Sequence, residues 1–234
     1  FYRTELDSRG FTTTPQFVTE WNTENTSSSA DALELRAKAR GAAINTAGWI
    51  NMQLAGVARE TFYRGPEPGG DGSFFGLFYA SGTPKKVGDA ARFWGQLSSL
   101  STRLSLTGTT SDFSAIAATS GTTVSILVAN TLGTPRAWTL SGAGSRFSVQ
   151  TVSDDAAGIV TTTASSAAFT VPAYGVQLVT TAVPLFTDDP LVADSTAIKA
   201  AHIVELRAGV DALRARYGLA AYGWTDPTLT AGAT

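Results

Sequence analysis

The chain has 234 residues, with 17 basic against 19 acidic side chains, a net charge of −2 and 15% charged residues. Lysine and arginine gather into no stripe, which argues against a nucleic-acid partner. The lack of any cysteine excludes disulfides, zinc fingers and thiol catalysis, and no apolar run approaches the roughly 18 residues that a membrane span needs.

The single histidine, His202, falls in a helical pattern far from every other polar cluster. It leaves no Ser-His-Asp triad, since no G-x-S-x-G elbow is present, and no imidazole-rich metal site. Carboxylate chemistry remains open, and it implies no metal and no organic cofactor.

Residues 1–10 read as the last turns of a helix, with Leu6 on the apolar side and Gly10 at the stop. After the Thr12-Thr13-Thr14-Pro15 turn, residues 16–21 read as a short buried strand. It delivers Glu20 to its C-terminal end, followed by Trp21 and the amide of Asn22. Ser28-Ser29-Ala30-Asp31 fits an S-x-x-D helix start. From there to about Gln53 the pattern is helical through Leu33, Leu35, Ala39, Ala42, Ala43 and Ile44, with Gly41 and Gly48 as points of interruption. Gly56 to Tyr63 reads as a second strand, followed by a Gly/Pro-rich loop from Gly65 to Ser73. After Phe74 to Tyr79 and a turn ending at Pro84, Val87 to about Leu100 is helical, with Ala91, Trp94, Leu97 and Leu100 on one face. Such alternation predicts parallel strands with crossover helices, as in a βα barrel.

Near Leu104 the character changes. Thr122 to Asn130 alternates, with Val124, Ile126 and Val128 on one face. Further strand-like runs cover 113–119, 136–141, 146–153, 158–163, 167–171 and 175–182. Turns at intervals of roughly ten residues mark a small antiparallel sandwich, with threonine and serine suited to its outward faces. After Pro184, Ile198, Ile203, Leu206, Val210, Leu213 and Tyr217 recur at helical spacing before Gly218. Phe186-Thr187-Asp188-Asp189-Pro190-Leu191 and Trp224-Thr225-Asp226-Pro227-Thr228-Leu229 begin about 38 residues apart, a period that marks tandem units. The second copy stops before its helix.

Strand ends are where barrels keep their chemistry, which makes Glu20 a candidate nucleophile; the competing reading is a rim ion pair with Arg59 or Arg64. A retaining glycosidase needs two carboxyl groups about 5–5.5 Å apart, one nucleophilic and one a proton donor. Glu60, on the adjacent strand, is the nearest second carboxylate. It reads as an ion-pair partner of Arg59 or Arg64 that shapes the pocket rather than as the proton donor. Trp21, Phe62, Tyr63, Phe74 and Phe75 are candidate sugar-facing rings, whereas Trp49 and Trp94 read as core. The Pro66–Ser73 loop matches neither a phosphate loop nor an EF-hand and reads as a rim or lid. Asn25-Thr26-Ser27 fits the glycosylation pattern, which is common by chance.

Thr19-Glu20-Trp21-Asn22, the phrase Gly76-Leu77-Phe78-Tyr79-Ala80-Ser81-Gly82-Thr83-Pro84-Lys85, and the expected strand through Val171-Pro172-Ala173-Tyr174-Gly175-Val176 occur in a recognisable order. Together they resemble, over about residues 1–182, the clan of retaining (β/α)8 glycoside hydrolases. Within it the chain is most similar to family 39, which includes β-xylosidases and α-iduronidases. The resemblance implies a seventh barrel strand at 16–21 with Glu20 as nucleophile, an eighth strand carrying Glu60 where the family usually has tryptophan, and a following β-sandwich. The family's proton donor comes from an Asn-Glu pair on a fourth strand, which this chain does not contain.

The expected architecture is α/β plus all-β. Residues 1–104 are the incomplete C-terminal part of a TIM barrel, residues 105–183 a β-sandwich, and residues 184–234 a truncated helical repeat or spacer. The expected function is that of a fragment of a secreted or cell-surface retaining glycosidase degrading poly- or oligosaccharides. Glu20 attacks the anomeric carbon, the acid/base lies outside the chain, and Trp21, Asn22, Arg59, Glu60 and Tyr63 contact the carbohydrate. Alone, the chain is expected to be inactive. The alternatives are a non-catalytic carbohydrate-binding or surface-display protein on a degenerate barrel, attached through the C-terminal repeat, and a purely structural β-domain with a helical spacer.

Overall fold

The computed structural model describes residues 2–23, 30–66, 76–120, 123–141, 146–181, 195, 197, 199–216, 219–226 and 228. The chain divides into two compact units, Phe1–Thr181 and Ala182–Thr234.

The first unit opens with α1 (Tyr2–Ser8), β1 (Gln16–Trp21), α2 (Ala30–Ala37), α3 (Ala39–Leu54), β2 (Val57–Phe62) and α4 (Lys86–Ser98). β1 and β2 pair in parallel, as the helix–strand alternation predicts. Val18 pairs with Glu60 and Trp21 with Phe62, so Thr19 and Glu20 together oppose Thr61. That extra residue is a β-bulge at the C-terminal end of β1.

The helix expected from Asp31 to Gln53 is broken, but not at Gly41 or Gly48. The break is at Lys38, whose backbone is extended at φ −101° and ψ 171°. Asp31 and Arg40 form an ion pair across it. A Cβ on Gly41 would lie 1.8 Å from the Leu35 carbonyl oxygen, so glycine there permits the break. Leu33, expected on the apolar face, is exposed, while Ala32 is buried. On α4 the buried hydrophobic positions are Val87, Ala90, Phe93 and Leu97; of the expected stripe, Ala91, Trp94 and Leu100 only flank this core.

β3 (Thr102–Leu104), β4 (Phe113–Ser120), β5 (Thr123–Asn130), β7 (Phe147–Val152), β8 (Val160–Ala164) and β10 (Val176–Thr181) form a six-stranded sheet in the order β3-β4-β5-β10-β7-β8. All its pairings are antiparallel. β6 (Arg136–Thr139) and β9 (Ala168–Val171) form a separate antiparallel pair. One face of the six-stranded sheet contributes Ile116, Ala118, Leu127, Val176 and Leu178 to a core completed by Trp49 and Ile50 of α3 and by the buried stripe of α4. On its other face, Ala115, Ala117, Ile126 and Val128 pack with Trp138 of β6 and Val171 of β9. Both faces are covered. Leu127 and Ala129, alternate to Ile126 and Val128, are therefore buried as well, where the sequence pattern suggested outward positions.

The expected Pro-Ala-Tyr strand is instead a turn between β9 and β10. Gly175 N–H bonds the Pro172 carbonyl at 2.9 Å, and Tyr174 adopts φ +50°. The β7–β8 connection is fastened to the helices. Asp154 Oδ1 accepts the Ala39 N–H at 3.0 Å, capping α3 from a distance of 115 residues along the chain. Lys86 Nζ donates to the carbonyls of Ser153, at 2.5 Å, and Ala156.

In the second unit, His202 lies near the start of α5 (Ala200–Arg216), and its Nδ1 accepts the Lys199 N–H at 3.2 Å. Arg207, Asp211 and Arg214, at positions i, i+4 and i+7, share one helix face. Asp211 accepts the Tyr222 N–H at 2.7 Å and the Trp224 indole N–H at 3.4 Å. Arg214 bonds the Ala220 carbonyl at 2.8 Å, and Arg207 stacks 5.0 Å from the Trp224 ring centroid. The aromatic-Thr-Asp phrase at 224–226 thus lies against the helix before it. The earlier copy at 186–191, together with Ile198, Tyr217, Gly218, Pro227 and Leu229, falls outside the described residues, as do the side chains of Leu213 and of its neighbour Ala212. No helix among the described residues is long and apolar enough to cross a membrane.

Candidate active site

A two-stranded parallel ribbon has two faces, and the sequence assigns them different tasks. On one face, Trp21 packs edge-on against Trp49 (6.2 Å) and Phe62 (5.5 Å), and Trp49 continues to Phe62 and Trp94. Close approach of β1 to α3 requires Gly48, where a Cβ would lie 2.8 Å from the Trp21 ring. An indole N–H withdrawn into such a cluster needs an acceptor, and the Trp21 indole finds the Glu60 carboxylate. The expected ion pair of Glu60 with Arg59 or Arg64 is therefore replaced by a hydrogen bond from Trp21. Trp21, Glu60 and Phe62 share the side that packs on α3. Trp49 is a core residue, as expected, whereas Trp94, also expected there, is partly buried and packs against that core.

Alternation of side chains along β2 puts Arg59 and Thr61 on the side opposite Glu60; on β1, Val18 and Trp21 pair with Glu60 and Phe62, and the two bulge residues between them, Thr19 and Glu20, are exposed. This second face is open. Phe17 is 56% exposed, and Thr19, Glu20, Arg59 and Thr61 are all exposed. Among the described residues no ion pair or hydrogen bond engages Glu20, so the rim ion pair with Arg59 or Arg64 does not form here. Bulges re-aim side chains and recur beside active sites. Glu20 occupies one, at the strand end where barrel chemistry is placed.

Asn22 and Tyr63 tie the two strand ends together. Asn22 Nδ2 donates to the Tyr63 carbonyl, and Tyr63 N–H donates to the Trp21 carbonyl at 2.9 Å. The Tyr63–Arg64 peptide is cis. The Arg64 guanidinium lies 5.7 Å from the Tyr63 ring centroid, and the ring is 38% exposed. Behind them, Asn45 of α3 donates to Thr23 Oγ1 at 3.3 Å and to the Gly41 carbonyl at 2.9 Å. Phe74, Phe75, the 67–73 stretch of the loop and Asn25-Thr26-Ser27 fall outside the described residues.

Glu20, Asn22 and Tyr63 are thus brought to one end of the ribbon, Arg59 lies further back opposite Phe17, and Trp21 and Glu60 meet each other on the packed side. A solvated carboxylate in this setting can act as a nucleophile or bind a hydroxyl. The open face carries no second carboxylate among the described residues, and no three acidic or histidine side chains there converge on a metal-sized space. Sequence reading missed the bulge and the supporting residues Gly48 and Asn45. Gly48 carried a signal, because a glycine inside a helix next to Trp49 marks a close approach.

No protein-family model matches the chain, and no curated protein matches it. Solved structures do. A glucosidase from Croceicoccus marinus superposes with a TM-score of 0.56 at 20% identity, over 78% of this chain and 49% of that one. A glycoside hydrolase family 30 endoxylanase from Clostridium papyrosolvens gives 0.50 at 13% identity, over 75% and 44%. A family 86 β-porphyranase from Bacteroides plebeius gives 0.53 at 10% identity, over 76% and 36%. The chain therefore has a mixed α/β fold with an antiparallel sheet like that of glycoside hydrolase chains, and it spans less than half the length of each.

Proposed function

We propose that the chain is the C-terminal part of a retaining glycoside hydrolase, family 39-like in its Thr19-Glu20-Trp21-Asn22 phrase, that cleaves O-glycosidic bonds in poly- or oligosaccharides. Residues 1–104 contribute the closing strands of a (β/α)8 barrel, residues 105–183 a β-sandwich, and residues 184–234 a repeat that serves attachment at a cell surface or in the secreted protein. The observation that carries this reading is the parallel β1–β2 pair with Glu20 on a bulge at its C-terminal end, on the face turned away from the helices. The fold shared with glycoside hydrolases supports it.

Glu20 attacks the anomeric carbon while an acid from polypeptide outside these residues protonates the leaving oxygen. The resulting glycosyl-enzyme is hydrolysed when that same group, now a base, activates water. Asn22 and Tyr63 fix the strand end from which Glu20 projects, and the Tyr63 ring offers a face for a sugar. Arg59 shares the open face with Glu20. Trp21 and Glu60 act from behind, by holding β1 against α3. One observation favours a second reading as a non-catalytic carbohydrate-binding protein: the nearest other carboxylate, Glu60, is already engaged by an indole.

The test is hydrolysis of aryl glycosides by the longer polypeptide and its Glu20→Gln variant. A nucleophile predicts a loss of about a thousandfold or more in kcat with unchanged folding, and no turnover by the 234-residue chain alone. Full activity in the variant would remove Glu20 as the nucleophile, and no turnover by either protein would leave only the binding reading.

A further inference from the structure

A second cleft lies wholly within residues 106–140. It has a volume of about 330 Å³ and is lined by the 106–109 loop, β4, β5 and β6. It shares no residue with β1 or β2. Its size falls within the range of small-ligand sites, which combine apolar walls with a few placed polar groups. The walls here are Leu106, Ile126, Val128 and the rings of Phe113 and Trp138, and the polar groups include the hydroxyls of Thr107 and Thr109.

One charged side chain lines the cleft, Arg136. Its guanidinium lies 5.0 Å from the Phe113 ring centroid and donates from Nη1 to Thr110 Oγ1 at 3.3 Å. The plane is therefore already oriented, and a guanidinium has five N–H donors, enough to leave a fork for a carboxylate. No acidic residue lines the cleft to neutralise it. The Trp138 ring stands beside it, fixed by Phe169 at 4.6 Å and by an indole bond to Gln177 Oε1 at 3.3 Å. A cationic fork next to a held aromatic ring, with hydroxyls on the rim, matches a ring that bears a carboxylate and several hydroxyls.

We infer that this cleft is a non-catalytic binding site for an acidic glycan, with Arg136 pairing a uronate carboxylate and Trp138 packing against the sugar ring. The choice of a sugar as the ligand's ring rests on the glycosidase reading; the anionic requirement rests on the cleft alone. Such a site holds a polysaccharide on the β-domain independently of Glu20.

The test is calorimetric titration of the 234-residue chain with xylotetraose carrying one glucuronate branch, with unbranched xylotetraose, and with acetate. The indole N–H resonance of Trp138 is followed by NMR and assigned from Trp138→Phe. Saturable binding of the branched sugar that shifts this resonance is expected, at least tenfold tighter than either control. Arg136→Gln should weaken it at least tenfold. The exposed-loop change Thr107→Glu should do the same by charge alone, so that a misfolded Arg136 variant does not end the test. Glu20→Gln should bind like the parent, which separates this site from the catalytic reading. Equal affinity for the unbranched sugar or for acetate, an unmoved Trp138 resonance, or full binding by the Thr107→Glu chain would overturn the inference.

Discussion

The β1–β2 ribbon and the six-stranded sheet are held in different ways. The sheet is covered twice, by α3 and α4 on one face and by β6–β9 on the other. The ribbon is covered once, by α3, through a single aromatic cluster. A strand pair by itself is marginal, so the ribbon depends on Trp49 in a way that the sheet does not. Its uncovered face is also the one that carries Glu20. Structural security and chemical availability are thus divided between the two regions.

The largest expected effect comes from removing the element they share. Trp49 is 4% exposed and joins both cores. Trp49→Ala is expected to cost about 3–5 kcal/mol in urea denaturation. Hydrogen exchange should show β1 and β2 opening before β4, β5 and β10; simultaneous opening would erase the distinction between the regions. Next comes Gly41→Ala. Its Cβ would collide with a backbone carbonyl that cannot move aside, so a loss of about 1–3 kcal/mol is expected in the same assay.

How far these features could be read from the sequence differs by region. The antiparallel strands from β4 onward were legible nearly to the residue, because alternation and turn residues act locally; the three-residue β3 (Thr102–Leu104) was not. The parallel pairing followed from helix–strand order. Covering elements were not legible: nothing local to β5 announces that helices from residues 39–98 will bury Leu127. The bulge at Glu20 was likewise hidden, since it exists only as a register between β1 and β2. Glu60 was misread for a related reason, as its partner depends on which face of β2 turns towards Trp21. That Glu20 lies at a strand end was visible; that its strand, expected to be buried, would leave Phe17, Thr19 and Glu20 exposed was not.

Smaller effects sharpen the link between the regions. Asp154→Ala removes the cap on the Ala39 N–H and is expected to cost about 1 kcal/mol in thermal or urea unfolding, although Asp154 belongs to the β7–β8 connection and the cap to a helix. No change would mean that packing and the Lys86 bonds dock the helices on the sheet without this one. The smallest effect concerns Asp89, buried in the first turn of α4. Burial raises its carboxyl above the ordinary 3.8, while Arg92 and Lys86 pull the other way. A raised folded-state value means that the fold holds this proton more tightly than the unfolded chain does. Wild-type stability therefore falls as pH rises from the ordinary carboxylate value through the raised one. Asp89→Asn is expected to melt slightly higher than wild type at pH 7, with the difference gone below the ordinary value. A lower melting temperature at pH 7 would show that the Arg92 ion pair, at 3.6 Å, outweighs burial.

The central claim is that the open face of the ribbon presents Glu20 as a nucleophile. It is tested most directly by treating the longer polypeptide with 2-deoxy-2-fluoro glycosides of xylose and glucose, which trap a glycosyl-enzyme, and mapping the adduct by peptide mass spectrometry. The account predicts one sugar on the peptide containing Glu20 and none in Glu20→Gln. An adduct on another carboxylate, or turnover in the Glu20→Gln protein at the wild-type rate, would contradict it.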